Sequence, residues 1–201
     1  MILIPLFPLE AVLFPGQALP LHIFEPRYKE MIGEALAGKQ PFGVVRALEN
    51  GVAGVGCTAE ITNVVKRYDD GRLDLVTEGR QRFEVMHLDQ ERPFLRGQVE
   101  FFADEAAPPP RDEVTRLLRL HTELMELLEV EAEAPEPGDP SLSFELAAAL
   151  PFALDFKQSL LGLRSEAQRV QALIEYYDKV MPSVARAVKA RKKAGGNGHA
   201  G

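Results

Sequence analysis

Cysteine is almost missing from this sequence: Cys57 stands alone among 201 residues. A single thiol excludes an internal disulfide framework and any zinc site built from clustered cysteines. The four histidines are scattered rather than paired at ligand spacing, so no metal or cofactor is expected. Basic charge is in short supply. With 23 Lys and Arg against 30 Asp and Glu the net charge is -7, a poor electrostatic match to a phosphate backbone, so nucleic acid is disfavoured as a partner. The N-terminus lacks a basic n-region and is interrupted by Pro5 and Pro8 before Glu10, which does not fit a secretory signal. The longest early uncharged run, Ala11 to Phe24, is broken by Pro15, Gly16 and Pro20 and is too short to span a bilayer. A cytoplasmic protein with no membrane partner is expected. No phosphate-binding Walker A pattern, no G-x-S-x-G elbow and no H-E-x-x-H pair occurs, so the usual enzyme signals are missing too.

What is present is an ordinary globular composition, 46% hydrophobic and 26% charged. The character of the chain changes near residue 105. Up to Phe102 it consists of short apolar runs punctuated by Gly and Pro. From Arg111 it is rich in Leu, Ala and Glu. Between them lies DEAAPPPRDE, whose consecutive Pro108, Pro109 and Pro110 favour a stiff, extended connector and exclude a helix interior. This places a β domain at 1–104, a helical domain at 105–190 and a disordered tail at 191–201. Residues 1–104 carry 11 basic and 15 acidic groups, net -4; 105–187 carry 8 and 15, net -7; 188–201 carry four basic groups and none acidic, net +4.

Alternation identifies strands in the first part. Val55, Cys57, Ala59 and Ile61 alternate with Gly56, Thr58, Glu60 and Thr62, and Leu73 and Leu75 with Arg72 and Asp74. Asp70-Gly71 between them predicts a type I′ hairpin turn. Phe83 and Val85 repeat the alternation, followed by Phe94 to Phe102; Ile2–Phe7, Leu19–Ile23 and Phe42–Ala47 are further strands. One helix is inserted. Pro26 suits a first helical turn, Tyr28, Met31, Ile32, Ala35 and Leu36 follow helical spacing, and Gly38 is the expected stop. In the second part Val114, Leu117, Leu118, His121, Leu124, Met125 and Leu128 form one stripe, with Asp112 as expected cap. Pro135 to Pro140 make a loop. Ser141 opens a short helix through Leu150, Phe152–Leu163 another, and Ser165-Glu166-Ala167-Gln168 reads as a capping box before a last helix kinked at Pro182. Strands followed by helices, without βαβ alternation, give the α+β class.

Most of the chemically suggestive residues have an ordinary structural reading. Cys57 lies on the apolar face of its strand, where a buried thiol outweighs a nucleophile. His121 is on an apolar stripe and His87 continues the Phe83, Val85 alternation, which makes both interior or edge histidines rather than ligands. Lys189, Arg191, Lys192 and Lys193 read as a solvated helix end that suits the helix dipole. Glu25 sits at a helix start, where a carboxylate meets free N–H groups, and Arg27 and Arg82 read as ion-pair partners that pin the barrel.

The most distinctive run is PLFPLEAVLFPGQALPLHIFEPRYKEMI, with prolines at 5, 8, 15, 20 and 26. Such spacing favours short, bent, edge-like strands around a small barrel. Its segments Pro5-Leu6-Phe7-Pro8, Phe14-Pro15-Gly16 and Leu19-Pro20-Leu21-His22-Ile23-Phe24-Glu25-Pro26-Arg27-Tyr28 resemble the N-terminal, substrate-binding domain of Lon ATP-dependent proteases. The similarity continues through Phe42-Gly43-Val44-Val45, Val55 to Ile61, Asp70-Gly71-Arg72 and Gly79-Arg80-Gln81-Arg82-Phe83. It covers residues 1–104 strongly and the helical part by character. The resemblance implies a PUA-like β pseudo-barrel with one inserted helix, followed by a C-terminal helical bundle subdomain. It further implies a stand-alone, bacterial-type protein without ATPase or peptidase modules.

The expected function is therefore non-catalytic: binding of unfolded or peptide segments of other proteins, with a protease or chaperone as a further partner, through exposed apolar side chains and open strand edges. Phe14, Phe24 and the proline-rich loops near them, with Pro15, His22, Arg27 and Arg82, are the candidate partner contacts. The alternatives are an RNA- or nucleotide-binding PUA-like protein, which rests on fold analogy, and a hydrolase using His22 with Glu25 or Cys57.

Overall fold

The structure is a computed structural model that describes residues 1–130 and 141–196, with side chains through Arg191. The chain divides into two compact units, Met1–Asp104 with Ala147–Gly162, and Glu105–Leu146 with the chain from Leu163.

The first unit is built on strands β1 (Ile2–Leu9), β2 (Ala18–Ile23), β3 (Phe42–Leu48), β4 (Gly51–Arg67), β5 (Leu73–Asp89) and β6 (Arg96–Phe101), with helix α1 (Pro26–Gly38) between β2 and β3. The sheet order is β2-β5-β4-β3-β1-β6, and β5 also pairs with β6, which closes the pseudo-barrel. Only β1 and β3 run parallel; the other pairs are antiparallel. The two 17-residue strands make this possible. Their near halves pair with β3 and β6, and their far halves form a three-stranded arm with β2. The β4–β5 register shifts at Cys57/Ala59, Ile61/Asn63 and Val64/Lys66, and such bulges supply the bending a small barrel needs. Leu73–Val76 and Phe83–Val85, read from the sequence as separate strands, are thus one continuous β5.

The barrel interior is filled by Leu6, Val45, Phe83 and Val99. Gly43 and Gly56 leave the room that Phe83 occupies: a Cβ on either would come within 2.7 Å and 2.6 Å of its ring. Helix α1 buries Tyr28, Met31, Ile32 and Ala35, and the Tyr28 ring meets that of Phe7 at 4.3 Å between centroids. The stop expected at Gly38 lies one residue later. Lys39 takes the left-handed conformation at φ 48° and donates its N–H to the Ala35 carbonyl.

The turn at Asp70-Gly71 also differs from the type I′ expectation. That turn needs two consecutive residues with positive φ. Here Gly71 has φ 81° while Asp70 does not. The Gly71 N–H donates to the Tyr68 carbonyl at 2.9 Å and the Tyr68 N–H to the Arg72 carbonyl at 3.0 Å, a three-residue loop that closes with a bulge.

Helix α4 (Leu154–Gly162) belongs to this first unit, although composition groups it with the helical part. Arg46 donates to Asp155 at 2.6 Å, and Gln158 Nε2 donates to the Val55 carbonyl at 3.0 Å.

The second unit contains α2 (Arg111–Leu128) and α5 (Glu166–Gly196), with the start of α3 (Leu142–Ala149). Leu117, Leu120, Leu124 and Met125 of α2 and Val170, Leu173, Ile174 and Tyr177 of α5 are buried. His121 is buried as expected, and its Nδ1 pairs with the Tyr177 hydroxyl at 2.8 Å. The cap position of α2 is Pro110 rather than Asp112, which lies in the first turn. Ser165 Oγ accepts the Gln168 N–H, while Gln168 Oε1 accepts the Arg164 N–H, one residue earlier than a capping box requires. Ser143, Glu166 and Arg169 form a buried polar cluster. Pro182 lies inside α5, which continues through 191–196, a stretch expected to be disordered. The loop at 135–140 and residues 197–201 lie outside the described residues. No helix among the described residues is long and apolar enough to cross a membrane.

Candidate functional site

Strand β2 is the outer strand of the arm, and its alternation decides what it shows. Leu19, Leu21 and Ile23 are half-buried or buried, while Ala18, Pro20 and His22 point outward, with Phe24 just beyond. His22 lies directly across from Asp74 of β5, which lies across from Lys66 of β4, so three strands place a histidine, a carboxylate and an ammonium in one row. His22 Nδ1 meets Asp74 Oδ1 at 2.5 Å, and the Tyr68 hydroxyl donates to Asp74 Oδ2 at 2.8 Å. These bonds, that from His22 foremost, hold the Asp74 carboxyl below its ordinary range despite some opposing desolvation. The Phe24 ring stacks beside that of His22, with centroids 5.9 Å apart and planes at 25°. Tyr68 meets His22 edge-on at 6.1 Å and 87°, and Lys66 and Arg72 sit over the Tyr68 ring at 4.4 Å and 4.6 Å.

Of the six candidate contacts, the structure brings His22, Phe24 and Arg27 to the surface. Arg27 holds Glu25 at 2.8 Å, so that carboxylate is committed to an arginine and His22 to Asp74. Phe14 departs from the expectation of an exposed contact: its side chain is fully buried. The cause is the turn that carries it. Gly16 N–H donates to the Gly79 carbonyl at 2.8 Å, and Gly79 N–H to the Gln17 carbonyl at 2.9 Å, which lays residues 14–17 against β5. Pro15 is half-buried in the same turn. Arg82 is also interior, at 5% exposure. It pairs with Asp104 and donates to the Leu161 carbonyl, so it joins parts of the fold rather than facing a partner.

The hydrolase alternative loses its proposed nucleophile. Cys57 is fully buried, and burial pushes its thiol up to about 12, which keeps it protonated and inert. Among the described residues no group of three or more His, Cys, Asp and Glu is arranged to hold a metal ion.

Sequence reasoning missed a second apolar surface. Met1, Ile2 and Leu3 at the start of β1 and Met86 and Leu88 of β5 are exposed. Leu3 and His87 both pair with Gln98 of β6, and Ile2 and Val85 both pair with Val99, so these residues occupy neighbouring positions on the closed side of the barrel. The sequence hid them because strict alternation after Phe83 and Val85 puts His87 inside. A register shift between Val85 and His87 breaks that alternation, leaving both Met86 and His87 exposed.

The expected open edges are present but guarded. β2 carries Pro20, which cannot donate to an added strand, and β4 is bulged twice beyond Ile61. Both devices discourage pairing with another chain. Recognition at these surfaces falls to side chains rather than to strand addition.

Comparison with known proteins agrees with this architecture. Residues 3–179 match the family described as the ATP-dependent protease La (LON) substrate-binding domain. The chain is 30% identical over 199 residues to a Lon protease of Anaeromyxobacter dehalogenans, covering 88% of this chain and 23% of that one. It is 24% identical over 194 residues to the Lon protease of Flavobacterium johnsoniae, covering 86% and 23%. The chain thus spans about a quarter of the length of these curated relatives. Among solved structures, a Lon N-terminal domain protein from Xanthomonas campestris superposes with a TM-score of 0.70 at 26% identity, covering 88% of this chain and 99% of that one. The N-terminal domain of a Mycobacterium avium complex Lon protease superposes with the same TM-score at 19% identity, covering 88% and 98%. The chain belongs to the Lon substrate-binding domain family.

Proposed function

We propose that this chain is a non-catalytic module that binds unfolded or extended segments of other proteins, in the cytoplasm and in the service of a protease or chaperone. The observation that carries this reading is the exposed strip of Met1, Ile2, Leu3, Met86 and Leu88. Soluble domains seldom leave neighbouring large apolar side chains in water unless a partner covers them. Methionine adapts to varied side chains better than branched residues do, which suits a surface that accepts many sequences. Membership in a substrate-binding family supports the same reading. The net charge of -4 over residues 1–104 disfavours RNA as the ligand.

The test is fluorescence anisotropy with an unfolded, carboxymethylated protein and with labelled apolar peptides. Binding that weakens about 10-fold or more in Leu3→Asp and Met86→Asp, with unchanged circular dichroism, is expected from loss of a central apolar contact. A folded sample that binds neither probe at tens of micromolar overturns the reading.

A further inference from the structure

We infer that Asp74 is a positioning residue for polypeptide binding: through His22 it holds the exposed Phe24 ring as a rigid stacking surface for an aromatic side chain of an extended segment. The inference rests on the polypeptide-binding reading above and adds a second contact on a different part of the molecule.

Phe24 is 59% exposed, yet its surroundings are fixed on every side the chain controls. Its main chain lies between Ile23, buried and paired with Leu73, and the α1 start at Glu25 and Pro26. Its ring rests beside the His22 ring. That ring is oriented by the 2.5 Å contact with Asp74 and by the edge of Tyr68, and the second oxygen of Asp74 takes the Tyr68 hydroxyl. Both carboxylate oxygens are thus used to lock two rings, and nothing in the row performs chemistry. An aromatic residue held in one orientation loses little entropy on binding, so more of its contact energy appears as affinity. A second aromatic ring packs against such a face in an offset or edge-on arrangement. The carboxylates of Glu25, Asp70 and Asp74 around the site oppose a continuous phosphate backbone, whereas a peptide can place its charges elsewhere.

The test uses two labelled 12-residue peptides that differ only in one central Phe or Ala. The wild-type chain is expected to prefer the Phe peptide about 10-fold, and Phe24→Ala to abolish that preference while still binding through the strip. Asp74→Ala is expected to reduce the preference about 3- to 10-fold, and Asp74→Asn, which keeps an acceptor for His22, to restore most of it. The deciding readout is a double-mutant cycle. If Asp74 acts through Phe24, Asp74→Ala costs nothing further in the Phe24→Ala background, with melting temperatures recorded alongside. His22→Phe keeps a flat ring beside Phe24 without the carboxylate contact and should retain an intermediate preference. Additive losses overturn the inference, as does a Phe24→Ala chain that still prefers the Phe peptide, or a single-stranded RNA oligonucleotide that displaces the peptide. If Met86→Asp abolishes peptide binding while Phe24→Ala leaves every affinity unchanged, the inference falls and the polypeptide-binding reading stands. If the wild-type chain binds neither peptide, both fall.

Discussion

The Arg82 guanidinium donates to the main-chain carbonyl of Leu161 at 2.9 Å. The two residues lie 79 positions apart, one in β5 and the other at the end of α4. The same side chain pairs with Asp104 and covers the Phe102 ring at 4.6 Å. A buried cation with several partners is costly to disrupt, because removing it strands the groups it satisfied. Arg82→Ala is expected to lower stability by about 2–4 kcal/mol, read from the midpoint of urea unfolding. Arg82→Lys should recover little, since an ammonium cannot fork between the two acceptors.

Lys39 ends α1 in the left-handed region at φ 48°, a conformation in which a Cβ is crowded and glycine is not. Lys39→Gly should therefore stabilise the chain by about 0.5–1 kcal/mol, seen as a higher melting temperature in calorimetry. A neutral or lower value would show that the lysine side chain makes a compensating contact.

Cys57 offers a clean probe of unfolding. Its thiol is buried and raised by that burial to about 12. At pH 8 a disulfide reagent should label it at the rate of global opening, many orders of magnitude slower than a free thiol. Fast labelling of the folded chain would contradict the packing described for β4.

Two groups set the response to acid, at different pH. Burial lowers the pKa of His121, so the unfolded chain binds its proton first. Its contribution to stability is complete above the ordinary histidine value of about 6.5 and declines as pH falls below it. Asp74 is lowered by its bonds from His22 and Tyr68, and Asp89 by its bond from Arg96. Their contribution is present above about 3.9 and is lost as pH falls through their depressed folded values. Unfolding midpoints measured from pH 7.5 to 3 should fall in two stages. Asp89→Asn should flatten the lower stage, and a constant midpoint between pH 7.5 and 5 would refute the role given to His121.

Much of this protein was legible in the residues themselves. Period-two alternation located the strands, Pro26 and the Tyr28–Leu36 spacing located α1, and the proline-punctuated first thirty residues pointed to the right family. These features are local, and local sterics decide them. What stayed hidden depended on residues far apart in the chain. Phe14 looked like a loop contact until Gly79 drew its turn against β5. Met86 and His87 looked like an ordinary alternation until a register shift turned both outward. Asp74 carried no signal of its own, because its partners His22 and Tyr68 stand 52 and 6 residues away and meet it only when β2 and the hairpin close around β5. Alternation along a strand says which side chains share a face. Strand register and bulges say which face meets water and which neighbours touch, and only long-range pairing sets those.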